Sequence, residues 1–154
     1  MSDGIIQIDI DSSPIRRILD QLIAKGSDMS DPFRAIAGIM EHAVEKNFAQ
    51  QGRPSWLPLA ASTVSARERK HPGAGIRILQ DAGNLAGSIS ARSDAFHASV
   101  GAGGGAKEYA AIHQFGGDAG RNHASHIPAR PYLTLGDDDT EEIIDILEQY
   151  FVKP

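Results

Sequence analysis

Three histidines in one stretch of the chain form its best candidate metal site: His113, His123 and His126. Three imidazoles can hold zinc, which accepts nitrogen ligands readily. Two of these histidines, however, stand in a polar, glycine-flanked loop, and no pair of carboxylates accompanies them at metal-ligand spacing. We therefore predict no metal site, and we interpret the loop histidines as exposed to solvent or as placed at a subunit interface.

The glycine run from Gly101 to Gly105, followed by Lys107, invites comparison with phosphate-binding loops. A phosphate loop needs a Gly-Lys-Ser/Thr sequence that leads into a helix, and a dinucleotide fingerprint needs a surrounding βαβ unit. Neither context is present. We predict a flexible loop at the end of a strand, because glycine adds conformational freedom there, and no nucleotide cofactor.

Patterns that carry catalysis are also incomplete in this chain. The run Asp137, Asp138 and Asp139 has the charge to bind a cation, but helix capping and the helix dipole explain it, because a predicted helix follows directly. The sequence lacks a Gly-x-Ser-x-Gly elbow and a His-Glu-x-x-His motif, and it has no cysteine, which excludes thiolate chemistry. We predict that the protein is not an enzyme.

The densest basic cluster is Arg67, Arg69 and Lys70, followed by His71. Such residues contact phosphates in proteins that bind nucleic acid. Together with the three histidines, they leave a nucleic-acid-binding or metal-dependent accessory protein as an alternative of a different class. No aromatic residues are interleaved with the cluster, so a base-stacking surface is not indicated. We interpret the cluster as a solvated helix end or as a contact for an acidic neighbouring subunit.

The composition favours one soluble domain with an aliphatic core. The chain has 154 residues, of which 41% are hydrophobic but only 6% aromatic, and the single tryptophan, Trp56, is expected to plug the core. No stretch approaches the roughly 20 apolar residues that cross a bilayer, and no basic residue precedes Arg16, unlike in a secretory signal. We expect a single domain over residues 1–154, without membrane partners.

Charge is distributed unevenly along the chain, whose formal net charge is −5. Residues 51–131 include 9 basic and 5 acidic residues, whereas residues 132–154 include 1 basic and 7 acidic ones. A basic middle and an acidic end allow complementary contacts between copies of the chain. Mixed charge is equally ordinary for a solvated surface.

Apolar residues at intervals of three and four predict helices along much of the chain. The first has Ser12 or Ser13 as its cap, the third Ser62 or Thr63, and the last Asp139 or Thr140. The predicted helices cover residues 14–26, 31–51, 60–69, 85–89 and 109–114, with a last helix after residue 139.

The remaining segments predict short strands and loops. Alternating apolar residues stand at 4–10 and 76–80, a hairpin is predicted over 90–94 and 96–100, a polar loop over 118–125, and an extended segment over 127–135. The order of elements indicates an α+β fold, in which a small antiparallel sheet is packed by two long N-terminal helices and a C-terminal helix. Flexible loops are expected at about 101–107 and 117–126.

The stretch 109–117 has the make-up of an anchored helix with an abrupt end. Tyr109 and Ile112 are predicted to hold this short helix in place while Phe115 packs inward. Gly116 and Gly117 then permit backbone angles that other residues resist, so the chain can turn away from the helix.

The extended segment that follows is stiffened by two prolines, Pro128 and Pro131, which leave it little entropy to lose. Arg130 stands between them. We expect its guanidinium to be presented rigidly, with its fork available to a carboxylate of the same domain or of the next subunit.

Four short sequences follow one another along the chain: WLPL at 56–59, ILQDAGNL at 78–85, YAAIHQFGG at 109–117 and IPARPYL at 127–133. Their order and spacing resemble the phage virion morphogenesis family, which includes Mu-type morphogenesis proteins and P2-type tail completion proteins. The resemblance runs from about Ile15 to Phe151. Its most specific part is the combination of IHQFGG with IPARPYL.

The resemblance implies a late structural protein at the head-proximal end of a phage tail, active in tail completion and head–tail joining. It implies a homo-oligomeric ring, expected to have six copies, and a fold akin to that of tail completion and tail terminator proteins. Implied partners are the head–tail connector or portal-side neck proteins and the tail tube or terminator protein. DNA would pass through the ring without sequence-specific binding.

A tail terminator, which caps the tail tube and stops its growth, is the alternative role within morphogenesis. In either role the protein would be located in the virion after assembly in the host cytoplasm. The expected assembly interface combines the basic cluster, two aromatic residues, the proline-flanked arginine and the acidic run: Arg67, Arg69, Lys70, Tyr109, Phe115, Arg130, Asp137, Asp138 and Asp139.

Overall fold

The structure, a computed structural model, describes residues 12–26, 28–81, 83–103 and 107–152. Within them the chain forms six α-helices and two small antiparallel sheets of two strands each, so the predicted α+β class is confirmed. The strand predicted at 4–10 lies outside the described residues. The elements are α1 (Ser13–Ala24), α2 (Ser30–Ala49), α3 (Ala61–Lys70), α4 (Asn84–Gly87), β1 (Ile89–Ser93), β2 (Ala98–Ala102), α5 (Lys107–Phe115), β3 (Gly117–Ala119), β4 (Ser125–Ile127) and α6 (Asp137–Val152).

Two compact units divide the chain, and each is described by itself. The first, called the α3/α5 unit, comprises Glu45–Ile89 and Ala102–Tyr132. The second, called the α1/α6 unit, includes residues 12–44, 90–101 and 133–152, so α2 contributes residues to both. The single domain expected over 1–154 stays a prediction.

The core of the α1/α6 unit comes from the apolar faces of three helices. Its side chains repeat at three- and four-residue intervals, which places them on one side of each helix. Burial of each such aliphatic side chain contributes roughly 1.5–3 kcal/mol to the free energy of unfolding. The buried cluster consists of Leu22, Met29, Phe33, Ile36, Ile39, Ile143 and Leu147.

No helix of the described part of the chain is long and apolar enough to cross a membrane.

Helix α6 begins two residues before the predicted cap. Asp139 was expected to precede the helix or cap it, but it is the third helical residue and is fully buried. Its Oδ2 accepts the backbone N–H of Gly136 at 2.8 Å, and the carbonyl of Gly136 accepts the N–H of Thr140 at 3.1 Å. Gly136 is therefore the cap position, and Asp139 closes the first turn from the inside, as the acidic partner in a capping box does.

Two other sequence predictions about local structure are wrong. Helix α3 begins after Ala60 and has no side-chain cap, so Ser62 and Thr63 do not cap it. Residues 76–80 form no strand: Leu79 has a φ of 62°, and the N–H of Ile78 is donated to the Gln51 side chain at 2.6 Å instead of to a neighbouring strand. A side-chain acceptor thus satisfies the backbone where alternation predicted a sheet.

The predicted hairpin is confirmed as β1 and β2, which pair with each other. The second sheet was not foreseen, because residues 118–125 were predicted to be a polar loop. Strands β3 and β4 pair antiparallel there, with Gly117 opposite Ile127 and Ala119 opposite Ser125. A three-residue 3₁₀ turn, Arg121–His123, joins them. The mobility expected of this segment stays a prediction.

Candidate assembly site

Arg130 is buried, with only 5% of its surface exposed, and it lies in the α3/α5 unit. Its Nε donates to the carbonyl of Leu57 and its Nη2 to the carbonyl of Pro58, both at 2.9 Å. Among the described residues, the expected carboxylate partner of the same domain is therefore wrong, whereas a carboxylate of the next subunit stays a prediction. The fork instead binds two backbone carbonyls of the WLPL sequence, and charge-assisted bonds of this kind are stronger than neutral ones.

A second set of hydrogen bonds joins the same two parts of the chain. The indole Nε1 of Trp56 donates to the carbonyl of Pro131 at 2.9 Å. Asn47 of α2 is fully buried and donates from Nδ2 to the carbonyl of Tyr132 at 2.7 Å, while its Oδ1 accepts from Nε of Arg53 at 2.8 Å. The IPARPYL sequence is thus held by side chains from helix α2 and from the WLPL loop.

Tyr132 links this segment to helix α5. Its backbone N–H is donated to Oε1 of Gln114 at 3.0 Å, and its phenolic O–H to the carbonyl of Ala110 at 2.7 Å. The ring is fully buried, which raises the pKa of the phenol, and it packs 5.6 Å from the ring of Phe48. Phe48 also meets Trp56 edge to face at 5.8 Å. Trp56 is buried, as predicted.

Gly116 fixes the close approach of helix α5 to the same segment. Its φ is +73°, and a Cβ placed there would stand 2.7 Å from the backbone nitrogen of Ala129 and 3.0 Å from the carbonyl oxygen of Ile127. Both the left-handed backbone and the missing side chain are needed at this position. The sequences WLPL, IHQFGG and IPARPYL therefore meet in one network inside the α3/α5 unit, which we call the motif network.

His113 lies at the edge of the motif network. Its carbonyl accepts the N–H of Arg130 at 2.8 Å, and Tyr109 meets its ring edge to face at 5.9 Å. Its Nδ1 is buried without a hydrogen-bond partner among the described residues. Burial, together with the positive charges of Arg130 and Arg67, lowers the pKa of this imidazole, so His113 is held neutral.

The basic cluster at the end of α3 divides into inward and outward residues. Arg67 donates to the carbonyl of Arg77 at 2.6 Å, and its side chain is only 18% exposed. Lys70 pairs with Asp81 at 3.2 Å, and the two basic residues hold the pKa of that carboxyl below its usual range. Arg69 is exposed. Arg69 and Lys70 thus present charge at the surface, whereas Arg67 mainly orders residues 77–81.

The acidic run and the histidines of the polar segment have different surroundings. Asp137 and Asp138 are exposed at the first turn of α6, in contrast to buried Asp139. His123 and His126 are exposed, and His126 stands 3.0 Å from Asp118 across the β3–β4 pair. Nowhere in the described ranges do three or more His, Cys, Asp or Glu side chains gather as a metal site would require.

Two large apolar side chains of the α3/α5 unit point into solvent. Phe115 was predicted to pack inward, but it is 63% exposed, because the buried face of α5 is occupied by Ala110 and Gln114. Leu57 is 60% exposed, although its carbonyl is bound by Arg130. Tyr109 is half-buried against His113. Of the residues expected at an assembly interface, Phe115, Arg69, Lys70, Asp137 and Asp138 are the accessible ones.

Asn47 and Gln114, which hydrogen-bond the backbone of Tyr132, were not predicted from the sequence, although their positions carry one signal. Asn47 stands four residues after Ala43 on the apolar face of a helix, where a polar side chain needs a hydrogen-bond partner. Gln114 stands four residues after Ala110 on one face of a helix in the same way. Neither position reveals which backbone group the amide binds.

Comparison with known proteins gives the class to which this arrangement belongs. The model of the phage virion morphogenesis family matches residues 10–152. The chain is 36% identical to the Mu-like prophage FluMu G protein 2 of Haemophilus influenzae over 147 residues, which are 95% of this chain and 96% of that protein. It is 31% identical to the putative capsid assembly protein G of Escherichia phage Mu over 152 residues, 94% of this chain and 92% of that one.

The chain therefore belongs to the phage virion morphogenesis family, and it is a virion assembly protein of the kind found in Mu-like phages. No solved structure matches it at the same level of significance. The kinship to tail completion folds implied by the sequence thus stays a prediction.

Proposed function

We propose that the protein completes the tail of a Mu-like phage at its head-proximal end and joins it to the head, as a closed ring of about six copies. The observation that carries the proposal is the family match, which covers residues 10–152. The motif network supports it, because internal hydrogen bonds join the three sequences while Leu57 and Phe115 stay exposed. A non-enzymatic role fits a site of backbone hydrogen bonds.

The charges of the two units support assembly from many copies. The α3/α5 unit has 9 basic and 5 acidic residues, a net charge of +4. The described part of the α1/α6 unit has 5 basic and 12 acidic residues, a net charge of −7. A ring needs a heterologous interface, in which one patch of a subunit meets a different patch of the next. Opposite charges on the two units favour that mode of contact.

The proposed partners follow from this position in the particle. One side of the ring would contact the connector or portal-side neck proteins, and the other the tail tube or the terminator protein. DNA would pass through without sequence-specific contacts. The related protein of phage Mu is named for capsid assembly. A role in the head is therefore the second candidate, and a tail terminator that stops tube growth is the third.

Electron microscopy of particles made without the protein separates the three roles. Tails of normal length beside filled, unattached heads are expected for tail completion. Overlong tails would instead assign a terminator, and aberrant or missing heads would assign capsid assembly. The control is the same phage supplied with the wild-type chain, which must restore joined particles. Normal infectious particles without the protein would overturn all three roles.

A further inference from the structure

The turn between β1 and β2 holds an aromatic side chain in solvent. Phe96 is 77% exposed, more than Ile23, Leu57 or Phe115. Oδ1 of Asp94 accepts the N–H of Phe96 and the N–H of His97, both at 2.7 Å, and the N–H of Asp94 is donated to the carbonyl of His97 at 3.0 Å. This Asx turn orders the tip before any contact, so docking the phenyl ring costs little backbone entropy.

The α3/α5 unit carries exposed apolar residues that belong to several segments of the chain. Arg130 joins its parts, because its guanidinium binds the carbonyls of Leu57 and Pro58 while its backbone N–H is donated to His113, two residues before Phe115. The surface is thus fixed by internal hydrogen bonds, although its side chains are accessible. We call it the apolar patch, and its exposed residues are Leu57, Pro58, Phe115, Ala129 and Pro131.

We propose that Phe96 of one copy docks on the apolar patch of the next copy. This contact would form the subunit interface of the ring proposed above, and the inference rests on that proposed function. The hydrogen bonds of Arg130 bring the backbones around these residues together. Exposed apolar groups that lie near one another mark interaction sites, and an aromatic residue is the usual anchor of such a contact.

Charge argues for a second copy as the occupant of the patch. Phe96 belongs to the unit with a net charge of −7, and the patch belongs to the unit with a net charge of +4. Asp94 beside Phe96 is exposed, as are Arg69 and Lys70 in the unit that carries the patch. Because tip and patch differ, each copy offers both, and the contact can propagate from copy to copy until it closes.

The absence of cysteine from the chain allows a direct test by cross-linking. Single-cysteine variants Ala95→Cys and Ala129→Cys, which keep Phe96 and Phe115 and of which one carries a mass tag, are mixed and oxidised mildly. The mixed disulfide is expected to form at least about ten times faster than with the matched control Ile23→Cys plus Ala129→Cys, because docking raises the effective concentration of the two thiols. Ile23 is a suitable control, since it is a large apolar residue of the same unit with 56% exposure.

Sedimentation equilibrium of the full chain gives the second readout. Phe96→Ser is expected to weaken self-association about 30-fold, as removal of a central aromatic anchor does, while Ile23→Ser changes it less than about 2-fold. Circular dichroism spectra must match for both variants, which keeps loss of folding separate from loss of contact.

Three outcomes contradict the inference in distinguishable ways. Equal cross-linking by Ala95→Cys and Ile23→Cys, with wild-type self-association intact, overturns the docking contact and leaves the ring standing. A wild-type chain that stays monomeric at every concentration overturns the ring as well. Loss of particle joining by Phe115→Ser without loss of self-association overturns the contact and assigns the patch to a different virion protein.

Discussion

Arg130 is a buried charged residue whose side chain stabilises the interior of the α3/α5 unit. Its guanidinium binds the carbonyls of Leu57 and Pro58, and the stiffening expected of the two flanking prolines stays a prediction. Burial of a guanidinium costs desolvation energy, which two charge-assisted hydrogen bonds offset. Arg130 therefore stabilises the subunit from which the ring is proposed to be built.

Arg130→Ala is expected to lower the free energy of unfolding by roughly 2–4 kcal/mol, because it removes a buried side chain and its two charge-assisted hydrogen bonds. Urea denaturation measures the change. Arg69→Ala is the matched control, since Arg69 is exposed in the same unit, and its effect should stay within about 0.5 kcal/mol. An Arg130→Ala variant as stable as the control would show that these bonds do not hold the segment.

Gly116 allows a test that separates backbone strain from close contact. Gly116 and Gly26 have nearly equal φ, +73° and +74°, but a Cβ at Gly26 meets nothing within 4 Å. Replacement by alanine costs about 1 kcal/mol for the left-handed backbone at either site. Gly116→Ala should cost at least about 2 kcal/mol more, since Ala129 must move. Equal melting temperatures for the two variants would contradict the close approach.

His113 should make stability depend on pH. In the unfolded chain its imidazole takes up a proton near its ordinary pKa of about 6.5, whereas the folded protein, in which the pKa is lowered, takes it up only in more acid solution. The unfolded state then binds more protons, so the free energy of unfolding falls as pH decreases from about 7 through 6.5 and below.

Denaturation of wild type and His113→Gln between pH 8 and pH 5 measures this contribution. The difference between the two should shift in favour of the variant as pH falls. His123→Gln, a change at an exposed loop histidine, is the control and should follow the wild-type curve. Parallel curves for wild type and His113→Gln would show that His113 is not held neutral.

At the scale of elements, Asp139 differs from Asp137 and Asp138 at the start of α6, because it is buried and closes the first turn of the helix. Asp139→Ala is expected to destabilise the protein by about 1–2 kcal/mol, because the N–H of Gly136 loses its acceptor and helix α6 its first-turn closure. Asp137→Ala, at an exposed position of the same turn, should cost less than about 1 kcal/mol. Thermal unfolding compares the two, and equal losses would remove the special role of Asp139.

Helices were more predictable from the sequence than strands, for a physical reason. Apolar residues such as Phe33 and Ile36 repeat over several turns of α2, so the helical period is sampled many times. Strands β3 and β4 have three residues each, too few to show alternation, and their residues are mostly polar. Residues 76–80 do alternate, yet the Gln51 side chain, distant in sequence, satisfies the backbone there.

The candidate site was predictable in its parts but not in its arrangement. The sequences WLPL, IHQFGG and IPARPYL were distinctive before the structure joined them in one network, and the burial of Trp56 was predicted. Whether Arg130 faces inward and Phe115 outward depends on how the segments pack, which spacing alone does not determine. The inward orientation of Arg130 is set by the carbonyls of Leu57 and Pro58, which lie more than 70 residues earlier in the chain.

At the scale of the whole molecule, the sequences that mark the family also carry the apolar patch, but they use different atoms for internal bonding and for the proposed contact. The motif network uses its polar atoms internally, whereas Phe96, Phe115 and Leu57 are accessible. Because the stabilising bonds lie inside and the proposed contacts outside, a variant such as Phe96→Ser can remain folded and still fail to assemble.

The position of the protein in the particle tests the central claim most directly. Immunogold electron microscopy of purified virions and of tails that have not joined heads measures it. Label confined to the head-proximal end of the tail, at the junction with the head in complete virions, is the expected result. Label distributed over the capsid, or absent from both virions and tails, would contradict a protein that completes the tail and joins it to the head.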